Sequence, residues 1–197
     1  MEFKDGEEVN IVAKVERIFN PLEKERENRK IKVRSIILNI DNQLVRLVAW
    51  HKLCDYIDLA GIEHGDEIRI NRAVAKNNEI HTKGYTVITI VKKGSTPIKD
   101  FSALKENETV DVVGKIVELN PLKFFEKDGK QRKMISGKLF DGKISLRVVA
   151  WDRSAEIINL APLSAIIKIE FAKIKKRNDA LEIHANDKSR VLIIRKL

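Results

Sequence analysis

The sequence predicts an all-β chain of two tandem five-stranded barrels, each with one helix between its third and fourth strands. Three observations lead there. The chain repeats itself in register, each copy reads mostly as strands with apolar residues at every second position, and one short helical stripe interrupts each copy at the same place.

Glu7-x-Val9-x-x-Val12-x-Lys14 returns as Glu108-x-Val110-x-x-Val113-x-Lys115, and Asn20-Pro21-Leu22 as Asn120-Pro121-Leu122. Arg46-Leu47-Val48-Ala49-Trp50 returns as Arg147-Val148-Val149-Ala150-Trp151, and Glu79-Ile80-His81 as Glu182-Ile183-His184. The order is kept, and the small drift in offset is that of loops gaining or losing a residue. Four blocks in register mark two homologous units, each the size of a small domain rather than of a solenoid repeat. They are expected at residues 1–93 and 104–197, with a linker at 94–103 that begins Gly94-Ser95-Thr96-Pro97.

Within a unit, Val9 to Ile18 reads as the first strand, with Val9, Ile11, Ala13 and Val15 on one face; Val110, Val112, Gly114 and Ile116 match them. Ala or Gly at mid-strand suits a sharp bend or a close backbone approach. A polar hairpin loop is expected from Pro21 to Arg29, with the turn pair Asp128-Gly129 in the second copy. Lys30 to Ile40 forms a second strand, Asp41-Asn42 (or Asp141-Gly142) a turn, and Leu44 to Trp50 a third strand. Leu53, Ile57 and Ala60 then share one helical stripe, and Asp152 is placed to cap the helix of the second copy. A fourth strand from Glu67 to Val74 points Ile68 and Ile70 inward, matched by Ile169 and Phe171. After a polar loop, a last strand runs from Thr86 to Val91, matched by Val191 to Ile194. The order β-β-β-α-β-β is that of the OB fold, a small barrel that removes most of the edges an open sheet exposes.

Bulk properties narrow the function. With 43% hydrophobic and 34% charged residues the chain belongs to the folded class. The net charge of +9 suits a polyanionic partner, although a lysine-rich surface alone accounts for it equally well. The charge is uneven: residues 1–98 hold 17 Lys+Arg against 15 Asp+Glu, net +2, and residues 99–197 hold 21 against 14, net +7. The single cysteine, Cys54, excludes an intrachain disulfide, argues against a cysteine-based zinc site, and reads as a buried structural thiol. No apolar run reaches the ~20 residues of a membrane span, and the charged N-terminus lacks a secretory core, so a cytoplasmic location is expected. Walker, HExxH, Gly-x-Ser-x-Gly and GxGxxG motifs are missing and no carboxylates pair up, which predicts a binding protein without cofactor, metal or catalysis.

Strand period places Arg46, Val48 and Trp50 on one face and the small apolar Val45, Leu47 and Ala49 on the other, toward the core. An outward Trp beside an Arg suits single-stranded nucleic acid: an indole stack is worth about 1–3 kcal/mol per base, and a guanidinium neutralises a phosphate. The competing reading is that each Trp caps its barrel as a core residue. Trp151 with Arg147 repeats the arrangement, which favours binding. Lys30, Lys32 and Arg34 on the second strand, with Arg132, Lys133 and Lys138 in the other copy, add cations. So do Lys76 and Lys176-Arg177 in the loops between strands four and five, preceded by Arg72 and Lys173. Each of these charges singly also reads as solvated surface. Of the adjacent Phe124 and Phe125, one is expected to pack inward and the other, taken as Phe124, to close over a base or touch a partner. His81 and His184 are open to a structural role, a hydrogen bond or a stack.

The blocks Arg46-x-Val48-Ala49-Trp50 and Arg147-x-Val149-Ala150-Trp151, each with its following helix, resemble the DNA-binding domains of the replication protein A family, in particular archaeal-type single-stranded DNA-binding proteins with tandem OB folds. The resemblance implies that Trp50 and Trp151 stack on bases, that Arg46 and Arg147 reach the strand, and that the partner is single-stranded DNA in replication, repair or recombination. It also admits other subunits of that family or replication and repair proteins as partners, and a nucleoid location if the source is archaeal. Two features depart from the family. The loop between strands four and five carries no second stacking aromatic, and the cysteine-rich zinc module is missing, so the chain reads as a short member or as part of a longer protein. RNA binding and a protein-interaction scaffold remain the alternatives.

Overall fold

The computed structural model describes residues 3–26, 29–127 and 129–194. It separates into two compact units, Met1–Thr96 and Pro97–Leu197.

The first unit runs β1 (Glu8–Ile18), β2 (Leu22–Arg26), β3 (Arg29–Ile40), β4 (Gln43–Trp50), α1 (Lys52–Leu59), β5 (Glu67–Lys76), β6 (Glu79–His81) and β7 (Val87–Lys92). Pairings β1–β3, β3–β4, β4–β6, β6–β5 and β5–β1 close a ring of five strands, a barrel in which β4–β6 is parallel and the other four pairs antiparallel. The second unit opens with a single 3-10 turn at Phe101–Ala103. It then repeats the order as β8 (Thr109–Leu119), β9 (Lys123–Lys127), β10 (Lys130–Phe140), β11 (Ser145–Trp151), α2 (Asp152–Asn159), β12 (Ile166–Arg177), β13 (Ala180–Ala185) and β14 (Arg190–Ile194). Its strands β8, β10, β11, β13 and β12 form the same ring of pairings.

Among the described residues each unit therefore holds seven strands rather than five. The expected polar hairpin loop is a strand: β2 pairs with β3, and β9 with β10, extending the hairpin beyond the barrel. Asp128 of the expected turn lies outside the described residues, as do residues 27 and 28. The strand that closes the ring is the three-residue β6, reached from β5 through Asn77 and Asn78, both at positive φ (52° and 57°) as a tight hairpin turn requires. The strand expected to come last, now β7, pairs with β5 outside the ring.

Ile36, Leu38, Leu47, Ile68, Ile70 and Ile80 fill the first core; Ile116, Leu139, Val148, Ile167, Ile169 and Ile183 fill the second. The inward pair matching Ile68 and Ile70 is thus Ile167 and Ile169. Phe171, expected inward, sits at a β-bulge with φ 55° and is half-buried, because the bulge shifts the alternation by one residue. On α1 the buried residues are Cys54 and Ile57, with Leu53 and Ala60 only partly covered. Burial raises the Cys54 thiol to about 11, which leaves it protonated and inert at neutral pH. Asp152 does not cap α2; it is the first helical residue, and its carboxylate accepts hydrogen bonds from Arg132 Nε and Lys133 N.

The expected linker is shorter than 94–103. Asp66, buried in the first unit, accepts from Gly94 N (2.8 Å) and Lys93 Nζ (2.8 Å), and Phe101 and Leu104 belong to the second core. The Phe101 ring lies against Gly114, where a Cβ would come within 3.0 Å of it. Gly137 is tighter: a Cβ there would sit 2.1 Å from the Glu118 carbonyl oxygen, on the bulge between β8 and β10. Gly137→Ala is expected to force these strands apart and cost about 1–3 kcal/mol by urea titration. An unchanged midpoint would contradict the close approach.

Candidate nucleic-acid interface

Strand β4 turns Val45, Leu47 and Ala49 inward and Arg46 and Trp50 outward, and β11 does the same with Arg147 and Trp151. Neither indole belongs to a barrel core; both are half-buried on the outer face. Immediately after each Trp the chain adopts a positive φ, at His51 (51°) and Asp152 (47°), and so turns sharply into the helix.

Cross-strand neighbours share a face. Register therefore places Ser35 and Ile37 of β3, Arg46, Val48 and Trp50 of β4, Glu79 and His81 of β6, and Val74 and Lys76 of β5 on one groove surface. The second unit's surface carries Ser136, Lys138, Arg147, Val149, Trp151, Glu182, His184, Lys173, Lys175 and Arg177. Position for position it replaces Ile37 with Lys138 and Val74 with Lys173, so it is the more basic of the two.

In the first unit a cleft of about 860 Å³ opens beside Trp50 and His81. Lys52, Lys76 and Lys83 line it, and among the described residues no carboxylate pairs with these three ammonium groups. The Trp50 and His81 rings lie nearly parallel (20°) with centroids 6.0 Å apart, and Trp50 Nε1 donates to His81 Nδ1 at 3.3 Å. Burial lowers the His81 pKa, helped by Lys76 and Lys83 and opposed by Glu79. The groove arginines are held in the same way in both units: Arg46 Nη1 donates to Glu79 Oε1 (3.0 Å), and Arg147 Nη1 to Glu182 Oε1 (2.8 Å).

Several expected site residues lie elsewhere. Arg34 is 2% exposed and makes a two-pronged bond to Asp58 of α1 (2.7 and 2.6 Å). Lys32 pairs with Asp55 on the same helix, and Lys133 with Glu156 on α2. These three clasp each helix to its barrel. Burial alone would raise the Glu156 carboxyl, but Lys133 and Arg153 outweigh it and hold it below the usual value. Arg72 stands at a bulge with its guanidinium 5.9 Å over the Tyr85 ring and does not line the cleft. Phe124 is 65% exposed but shares its face with Lys133, opposite Trp151; it is Phe125 that meets Trp151, edge-on at 6.0 Å. Lys173 is on the groove face, although its ammonium donates to the Asn107 carbonyl. Lys52 and Lys83 carry no signal in the sequence, since they belong to no period.

No protein-family model matches the chain. A curated relative, the replication factor A of Methanothermobacter thermautotrophicus, is 24% identical over a gapped alignment of 201 positions that covers 96% of this chain and 25% of the relative. The chain thus spans about a quarter of the length of the curated relative it matches. A solved replication protein A heterotrimer bound to single-stranded DNA matches 96% of this chain and 49% of its own, with a TM-score of 0.62 at 15% identity. The chain is similar in sequence to a replication factor A and in fold to replication protein A. Both of its units have the ring of five strands of an OB-type barrel. Where the resemblance implies a second aromatic in the loop between the fourth and fifth barrel strands, this chain has the two-residue turn Asn77–Asn78, and the ring that accompanies Trp50 is His81 on β6.

Proposed function

We propose that this chain binds single-stranded DNA in its two grooves, stacking bases on Trp50 and Trp151 and holding phosphates with the groove cations, in replication, repair or recombination. Other subunits of the family, or replication and repair proteins, are the proposed protein partners. The observation that carries the reading is the half-buried Trp50 beside a cleft ringed by Lys52, Lys76 and Lys83, with a second Trp in the equivalent place among the cations of the other unit. Such a surface offers a stacking face and neutralising charge, the two components of sequence-tolerant binding of single strands. Arg46, Lys52, Lys76 and Lys83 are assigned to phosphates in the first unit, and Arg147, Lys173, Lys175 and Arg177 in the second.

Tryptophan fluorescence tests this directly. Oligo-dT is expected to quench it, duplex DNA to quench it far less, and oligo-U competition reports any preference for RNA. No quenching with any of the three would sink the reading in favour of a protein-interaction scaffold.

The second groove is expected to carry more of the salt dependence. In the full chain, Lys173→Gln with Arg177→Gln should flatten the plot of log affinity against log salt by about 0.7 for each phosphate no longer neutralised. Lys32→Gln, which removes a helix clasp, should leave the slope unchanged. The reverse pattern would move the phosphate path to the helix side.

A further inference from the structure

The two grooves share a feature that base stacking and phosphate binding do not use: a carboxylate stands among the cations. In the first unit Glu79 Oε1 accepts from Arg46 Nη1 at 3.0 Å, and Glu79 Oε2 lies 3.4 Å from His81 Nε2. In the second, Glu182 Oε1 accepts from Arg147 Nη1 at 2.8 Å and Glu182 Oε2 faces His184 Nε2 at 3.0 Å. A lone carboxylate here repels phosphate. Burial by itself raises the Glu182 carboxyl, but His184 and Arg147 outweigh it and keep it ionised below the usual value.

We propose that Glu79 and Glu182 are positioning residues for strand capture, each fixing the groove arginine with one oxygen and the groove histidine with the other. This rests on the single-strand reading given above. Holding Nε2–H on the carboxylate leaves the opposite ring nitrogen, Nδ1, as an acceptor. In the first unit that acceptor receives the indole N–H of Trp50, so Glu79 sets the guanidinium and, through His81, the stacking ring. Ser35 Oγ completes the hold on Arg46, accepting from Nε (3.0 Å) and Nη2 (2.7 Å). In the second unit the relay stops at the imidazole: His184 Nδ1 is buried without a hydrogen-bond partner, and Trp151 leans on Phe125 instead. The first groove thus presents a locked platform and the second a looser one. Preorganisation of this kind lowers the ordering cost of binding.

A charge-only role and a positioning role predict opposite signs. Glu79→Gln with Glu182→Gln removes two negative charges from the grooves. If the carboxylates merely repel phosphate, oligo-dT affinity rises and the salt slope steepens. If they position, affinity falls by about five- to tenfold, because the glutamine NH2 turns a donor toward the imidazole and reverses its tautomer. Tighter binding would overturn the proposal while leaving the single-strand reading intact. Absence of quenching in the wild type would instead overturn that reading.

A second measurement needs no DNA and no change at the carboxylates. In the Trp151→Phe chain, emission reports Trp50 alone. The charged and titratable groups facing His81 are Glu79 from its own strand, Lys76 from β5, Lys83 from the following loop, and His51, Lys52 and Asp5 around the cleft. Protonation places a hydrogen on Nδ1 and expels the indole N–H, so a step in emission is expected as pH falls below 6.5, the ordinary value from which burial lowers His81. A flat profile from pH 7.5 down to the onset of acid unfolding, as followed by circular dichroism, would exclude the His81 relay.

Discussion

Replacing Trp50 and Trp151 together by alanine is expected to abolish most of the affinity for oligo-dT. Each indole is half-buried on the groove face, and neither contributes to a barrel core, so the fold should survive their loss. Two stacks at about 1–3 kcal/mol per base amount to a loss of roughly 30-fold to more than 10⁴-fold in affinity. The salt slope should change little, since no cation is removed. Trp50→Ala alone is expected to be the more damaging single change, because its ring is held by a hydrogen bond to His81 beside a formed cleft, whereas Trp151 lies edge-on to Phe125. Titrations of both single variants and the double variant, with unfolding midpoints as controls, check this. Full affinity in the double variant would remove the stacking mechanism.

The largest expected effect on stability lies far from the groove arginines. Glu170 is fully buried on β12, with Arg190 Nη1 at 3.3 Å and Lys168 Nζ at 3.2 Å, both cations themselves almost completely covered. Glu170→Ala would leave two buried cations without their shared carboxylate, and breaking a buried charge group by removing one partner typically costs about 3–5 kcal/mol. The first barrel replaces Glu170 and its cross-strand partner Arg190 with Asn71 and Val87 and so lacks the group. The loss should therefore appear as an earlier unfolding transition of the second unit in urea. An unchanged curve would mean that solvent reaches the cluster.

Much of the barrel is legible because periodicity is a local property. Val45, Leu47 and Ala49 alternate with Arg46 and Trp50 within one strand, and two copies of that strand occur in the chain, so inward and outward faces follow from residue order. The closing strand is hidden for the converse reason. Glu79-Ile80-His81 is too short and too polar to show a period; it becomes a strand by lying parallel to β4. Phe124 and Phe125 are hard to tell apart because a residue expected in a loop has no face, whereas a residue in β9 does, and the hairpin register gives Trp151 to Phe125.

Residue order alone settled the repeat, the all-β class, the place of each helix and the outward turn of the two tryptophans, since these depend on neighbours within a few positions. Only folding decided which cations are free. Lys32, Arg34 and Lys133 look identical to ligands along a strand, but each meets a helical carboxylate more than 20 residues away in the chain, while Lys52, Lys76 and Lys83, from three separate segments, converge on Trp50. A charge's availability is set by what lies across from it in space, and no pattern along the chain encodes that distance.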